Sequence, residues 1–268
     1  MIFANHAHTY PEYVNPNGTV EALKRYMDET GIDKVVAFST FANTLRSRDL
    51  PVYNTNKTLY DEIKDDPDIV GFGTVDTERD DIEDQIDEIV SYGFKGIKVH
   101  PQVQKLKVDG ERAFRIYKRC EELGLFVSFH TGVHWDRLKN NRVELFDEVA
   151  WHFPNMRFSM EHVGGYSYFN EALAVILNNK RSGLQPRIYA GWTTIDGKYR
   201  PWTLSDEQLY VLLGQTSDDN SIFGLDFPFN SADYTKAAIA RIRGLDIPEE
   251  SKEKILGLNL AKALGIEL

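Results

Sequence analysis

Eight short segments rich in β-branched and aromatic residues recur along the chain, separated by charged stretches with helical patterning. The apolar segments read as strands near residues 2–8, 34–40, 69–75, 94–100, 125–131, 157–163, 187–193 and 221–226. Between them the apolar period lengthens to that of a helix. Over residues 81–92, Ile82, Ile86, Ile89 and Val90 fall on one helical face, with Asp80 or Asp81 placed to cap the start and Gly93 the end. One strand and one helix per roughly 30 residues call for a parallel sheet. Eight such units in 268 residues favour a closed (β/α)8 TIM barrel over an open doubly wound sheet. No Gly-x-Gly-x-x-Gly follows the first strand, which disfavours a Rossmann-type sheet. No linker rich in Pro, Gly or Ser divides the chain, so residues 1–268 are read as one domain.

Composition narrows the function classes. A hydrophobic fraction of 42% supplies a core of this size, and the chain has no repetitive tract that would suggest disorder. The balance of 31 basic against 41 acidic residues, net −10, comes without a Lys/Arg cluster, so no nucleic-acid partner is expected. A small-molecule substrate, anionic ones included, is compatible with it. Charged runs such as residues 78–87 read as solvent-facing helix surface. Cys120 is the sole cysteine, so there is no intrachain disulfide, and its helix-like surroundings point to a buried, inert thiol. No apolar run approaches the ~20 residues of a bilayer span. The first residues lack the basic and apolar regions of a signal peptide. No membrane partner is expected, and the cytoplasm is the expected compartment.

The chemistry-bearing residues cluster at one end of these strands. His6 and His8 are two apart on the first strand, so alternation would put both imidazoles on one side. His130 closes the fifth strand, His162 the sixth and Asp226 the eighth. In a (β/α)8 barrel the C-terminal strand ends are where chemistry is expected. Imidazoles plus a carboxylate suit Zn²⁺ or a similar borderline ion with one position left for water. Such an ion would ionise water near neutral pH, with Asp226 carrying the proton to the leaving group. His162 would polarise a carbonyl or stabilise the developing oxyanion.

These residues resemble a known family. His6-Ala7-His8, His130-Thr131-Gly132, His162-Val163-Gly164-Gly165 and Gly224-Leu225-Asp226-Phe227-Pro228 look like the amidohydrolase superfamily, closest to the amidohydrolase-related branch that includes aminocarboxymuconate-semialdehyde decarboxylase. Asn56 before Leu59, the stretch from Asp66 to Val75 and Gly93-Phe94-Lys95-Gly96-Ile97-Lys98-Val99-His100-Pro101 agree with it. The resemblance implies metal ligands at His6, His8, His130 and Asp226, with His162 near the reacting groups, and a homodimer as the family habit. One departure is visible: the family's first motif carries Asp two positions before the first histidine, where this chain has Ala4. Lys98 and His100 share a face of the fourth strand. Some superfamily members carboxylate a lysine there to bridge two metals, so one Zn²⁺ is expected, with Mn²⁺ or a two-metal site on modified Lys98 as alternatives.

Further residues are candidates for substrate contact. His134 and Trp135 follow the fifth strand, Trp192 ends the seventh as a wall, and Tyr10 lies just past His8. Arg46 and Arg48, in the long connection over residues 41–56, would clamp a carboxylate. That connection and the one over residues 194–202 are candidate lids or pocket walls. His152 reads as structural. The leading activity is hydrolysis of a C–N or C–O bond in a small organic molecule. The alternatives are decarboxylation of a small unsaturated or aromatic acid, a TatD-like nuclease or phosphoesterase, and a barrel that binds without turnover. A TatD-like site would bring Glu to the fourth strand, where this chain has Lys98 and His100.

Overall fold

The structure, a computed structural model, describes residues 1–267 apart from Asn141, Ser182, Lys198 and Tyr199. Two of these four lie in the 194–202 connection, so that expected wall is described only on either side of them. The strands are β1 (Phe3–His8), β2 (Lys34–Phe38), β3 (Ile69–Gly73), β4 (Gly96–Val99), β5 (Phe126–His130), β6 (Arg157–Glu161), β7 (Ile188–Thr193) and β8 (Ser221–Phe227). They pair in sequence order, all parallel, and β8 returns to β1, closing the (β/α)8 barrel. Helices alternate with them on the outside.

Strand alternation sorts the side chains into two apolar regions. On β5, Phe126 joins the inner cluster while Val127 and Phe129 join the outer one under the helices. Phe3, Val36, Phe38, Phe72, Tyr189 and Ile222 fill the lower barrel. Leu260, Ala261 and Leu264 of the helix Asn259–Leu264 pack into the same cluster and stopper the N-terminal mouth. Access to the interior is therefore from the C-terminal end of the strands.

One local expectation changes. In the helix Ile82–Ser91 the buried positions are Ile82, Gln85, Ile86 and Ile89, and Val90 is turned to solvent at 38% exposure. Gln85 takes the inward place because its amide serves Asp76: Asp76 N donates to Gln85 Oε1 at 2.9 Å. Asp81 occupies the N-cap position without a side-chain capping bond, and Gly93 follows the helix at φ 76°. The 41–56 connection contains the short helix Ala42–Arg46.

On β1 the alternation is interrupted. His6 sits at φ 73°, and the pairing shifts register between Ala4 and Ala7 against β2 and between Asn5 and Ala7 against β8. A bulge adds one residue to a strand, so two successive side chains share a face. Asn5 and His6 therefore both point inward, while Ala4 and Ala7 pack in the outer cluster. No helix among the described residues is long and apolar enough to cross a membrane.

Candidate metal centre

The bulge and β8 bring three polar side chains to one point at the barrel mouth. His6 Nε2 and His8 Nε2 lie 3.1 Å apart, and Asp226 Oδ1 is 3.5 Å from the first and 3.8 Å from the second. Among the described residues, His6, His8 and Asp226 form a group whose ligand atoms all lie within 4.8 Å of one another, the spacing that can hold a metal ion. All three are buried. Burial, with the Lys98 ammonium next, holds the His6 and His8 imidazoles well below pKa 6.5, so both are neutral ligands at pH 7. Burial pushes the Asp226 carboxyl up, against a hydrogen bond from Thr194 Oγ1 at 2.9 Å. The donor set is that of a borderline divalent ion. His130, the other expected ligand, is outside that close group; its buried Nε2 has no hydrogen-bond partner among the described residues, and its ring lies 4.7 Å from that of His162. An unpartnered imidazole nitrogen beside the group fits an ion rather than a hydrogen bond.

Beneath this group lies a buried polar layer built around Glu161. Its Oε1 accepts from Asn5 Nδ2 at 2.7 Å, from Ser128 Oγ at 3.3 Å and from Ser159 Oγ. Its Oε2 accepts from Thr193 Oγ1 at 2.5 Å and lies 3.2 Å from His6 Nδ1, a contact short of an aligned hydrogen bond. A carboxylate beside Nδ1 favours the tautomer that leaves Nε2 free for a metal. Space for Glu161 comes from two glycines: a Cβ on Gly191 would stand 2.4 Å from Oε2, and one on Gly224 would stand 2.0 Å from Thr193 Oγ1. Lys98 enters the same interior with no hydrogen-bond partner for Nζ among the described residues, and Nζ lies 5.2 Å from the Phe38 ring centre. Burial pulls its pKa down to about 7, against the opposing charges of Glu161 and Asp226.

His162 directly follows β6 and takes the left-handed conformation at φ 65°, as does Val163 at φ 50°. Such conformations in non-glycine residues are costly and concentrate where a side chain must be aimed. His162 Nδ1 lies 2.8 Å from Thr193 O, and a carbonyl only accepts, so Nδ1 carries the proton and Nε2 is an acceptor. Burial, then the Lys98 charge, brings its pKa down to about 3. The expected role as an oxyanion donor needs a proton on Nε2, so this tautomer does not supply it.

Above the group is a cavity of about 290 Å³. His6, His8, His130, His162 and Asp226 form its floor, and Tyr10, His100 and His134 reach it from the sides. His100 stacks on His130 with ring centres 4.0 Å apart and planes within 5°, and His134 meets His100 edge-on at 4.3 Å. Aromatic walls come from Phe41, Trp135, Trp202 and Phe229. Trp202 stacks on His162 at 4.9 Å and donates its indole N–H to Val133 O at 3.1 Å, while Trp135 is 80% exposed at the rim. The described residues that line the cavity include no lysine or arginine.

Four sequence candidates lie elsewhere. Trp192 is fully buried in the outer cluster and is not a wall, because Gly191 and Thr193 occupy the inward positions of β7. Arg46 forms a bidentate pair with Asp76, at 2.8 and 2.6 Å, and Arg48 donates to Val14 O, so neither guanidinium faces the cavity. Lys98 lies in the interior rather than on the cavity wall. Residues not singled out from the sequence include Glu161, Thr194, Trp202 and Phe229. Glu161 had a readable signal, an acid at the end of the strand Arg157–Glu161 immediately before His162. Trp202 lies at the end of a connection already marked as a wall.

A protein family described as Amidohydrolase matches residues 6–266. No curated protein sequence matches the chain. Three solved structures are similar over nearly their whole length. 5-Carboxyvanillate decarboxylase from Sphingomonas paucimobilis is 15% identical, covering 99% of this chain and 99% of that one, with a TM-score of 0.73. A candidate 2-pyrone-4,6-dicarboxylic acid hydrolase from Pseudomonas putida is 15% identical, covering 100% and 98%, with a TM-score of 0.71. A dihydroxybenzoic acid decarboxylase from Polaromonas sp. JS666, with bound manganese and 2-nitroresorcinol, is 15% identical, covering 98% and 96%, with a TM-score of 0.66. At such identities the likeness is one of fold.

Proposed function

Because the chain belongs to the amidohydrolase family, we propose that it is a metal-dependent hydrolase that cleaves a C–N or C–O bond in a small, uncharged, ring-sized substrate such as a lactone, ester or amide. The observation that carries this reading is the cavity lining: aromatic walls and neutral imidazoles, with no lysine or arginine among the described residues to anchor a substrate carboxylate. The volume of about 290 Å³ is at the lower end for small-molecule pockets.

In this reading His6, His8 and Asp226 hold one divalent ion, with His130 as the fourth protein ligand. The nitrogen-rich set favours Zn²⁺ over harder cations, and Mn²⁺ remains compatible with the carboxylate. When bound, such an ion supplies Lewis-acid chemistry, polarising an oxygen or lowering the pKa of water to about 7. The residues do the rest. The carboxylate of Asp226, whose Oδ1 lies beside both imidazoles, takes the proton of the attacking water and returns it to the leaving nitrogen or oxygen. His162 Nε2 accepts a hydrogen bond and so orients the water or a substrate N–H. Trp202 and Phe229 hold the ring and exclude bulk water.

A second reading, decarboxylation of a small aromatic acid, is favoured by the same flat aromatic walls and by the two decarboxylases of like fold. It requires the substrate carboxylate to rest on the metal, since the described lining offers no other cation. The nuclease reading gains nothing from a small cavity without phosphate-binding cations.

The test is elemental analysis of protein purified without chelator, followed by a panel of neutral lactones, esters and amides beside ring carboxylic acids. Hydrolysis of a neutral substrate that stops on metal removal is the expected result. Carbon dioxide release from a ring acid, with the neutral compounds untouched, would overturn it in favour of the second reading.

A further inference from the structure

Asp226 is gripped from the side away from the two histidines. Thr194 Oγ1 lies 2.9 Å from Asp226 Oδ2. Asn230 Nδ2 donates to Thr194 Oγ1 at 3.0 Å and to Leu225 O at 2.7 Å. Arg200 Nη1 donates to Asn230 Oδ1 at 2.8 Å. Every direction in this chain is determined. Guanidinium only donates, so Oδ1 of Asn230 is the amide atom that faces it, and both amide protons go to Leu225 O and Thr194 Oγ1. With its oxygen already accepting, the Thr194 hydroxyl has its proton left for the carboxylate. The relay thus runs one way, from Arg200 at the surface through Asn230 and Thr194 to a single oxygen of Asp226.

The backbone agrees. Thr194 lies at φ 56° and Asp226 at φ 59°, and Thr194 and Asn230 are both buried. A β-branched residue in the left-handed region is strained, and such strain persists only where neighbours over-determine it. Here it turns the hydroxyl of Thr194 onto Asp226 at the start of the connection that also carries Trp202 to His162.

We infer that Thr194 and Asn230 are positioning residues that present Asp226 to the metal through Oδ1 alone, with Arg200 anchoring the relay at its solvent end. The inference rests on the metal-centre reading above. Holding Oδ2 in a hydrogen bond disfavours the two-oxygen binding mode, and freezing the carboxylate lowers the ordering that metal capture requires.

The test is titration of metal-depleted full-length protein with Co²⁺, read by calorimetry and by the visible absorption of the bound ion. The wild type is compared with Thr194→Val, Thr194→Ser and Arg200→Gln. Thr194→Val is expected to bind Co²⁺ about 10- to 100-fold more weakly with an altered spectrum, and Thr194→Ser, which keeps the hydroxyl, to restore both. Arg200→Gln, an exposed change that spares the fold, is expected to weaken binding by a few-fold. Should Thr194→Val fail to fold, Arg200→Gln and Thr194→Ser decide the matter: wild-type affinity in Arg200→Gln, or a spectrum in Thr194→Ser unlike that of the wild type, overturns the relay. Wild-type affinity and spectrum in a folded Thr194→Val also overturn it. Absence of Co²⁺ binding by the wild type would instead sink the metal-centre reading, and the relay with it.

Discussion

Oε2 of Glu161 lies 3.2 Å from Nδ1 of His6, across the barrel interior from β6 to β1. The acid is held by donors from three other strands, Asn5, Ser128 and Thr193, as well as by Ser159 of its own. Ala4, two positions before the first histidine, offers no carboxylate, and the one that reaches His6 comes from another strand.

Glu161→Gln puts an amide where only acceptors fit. Its NH2 would meet the Asn5 amide N–H or His6 Nδ1, donor against donor, or force a hydroxyl to turn away, leaving donors unpaired at about 1–3 kcal/mol each. The variant is expected to melt lower and to hold metal about 10- to 100-fold more weakly. Thermal unfolding and metal analysis check this, and full metal occupancy with an unchanged midpoint would refute the positioning of His6 by Glu161.

Gly191→Ala tests the space that the acid needs. Its Cβ would come within 2.4 Å of Glu161 Oε2 and 2.9 Å of Glu161 Cα, so backbone as well as side chain must move. Overpacking of this kind costs about 1–3 kcal/mol. Denaturant unfolding should show that loss, together with reduced metal affinity, because the displaced carboxylate is the one beside His6.

Lys98 predicts a pH dependence of stability. Its pKa, brought by burial from 10.5 to about 7, is lower in the folded protein than in the unfolded chain. Between those values the unfolded chain holds the extra proton, so stability of the metal-free protein rises as pH goes from about 7 towards 10.5 and is level below about 7. Each unit of displacement corresponds to about 1.4 kcal/mol. Urea unfolding of chelated protein at several pH values should show the rise in the wild type and its loss in Lys98→Met; parallel curves for the two proteins would refute it.

The two tryptophans should separate stability from recognition. Trp192→Ala empties a fully buried site in the outer cluster and should cost about 3–5 kcal/mol. Trp202→Ala removes a wall of the cavity, so the expected effect is on KM and substrate size preference, with a smaller loss of stability. Unfolding curves and kinetics on the best substrate of the panel measure both, and the opposite assignment of the two effects would contradict the geometry.

What the sequence determined by itself was the periodic part. Eight strands and the closed barrel followed from local alternation of apolar residues, because period-two and period-3.6 patterns depend only on neighbours in the chain. The same regularity carried His8, His130 and Asp226 to one mouth, since strand ends in a parallel barrel share a side. The tertiary structure decided whatever depended on partners distant in sequence or on a break in the period. The bulge at His6 turned two successive side chains inward, the parity of β7 sent Trp192 outward, and Asp76, 30 residues from Arg46, drew that guanidinium away from the cavity. Glu161 belongs to the same class: an acid in a strand reads as an anomaly until its four donors, spread from Asn5 to Thr193, are brought around it. Local patterning specifies which face a residue is expected to occupy, but its partner is settled only when separate strands pair in register.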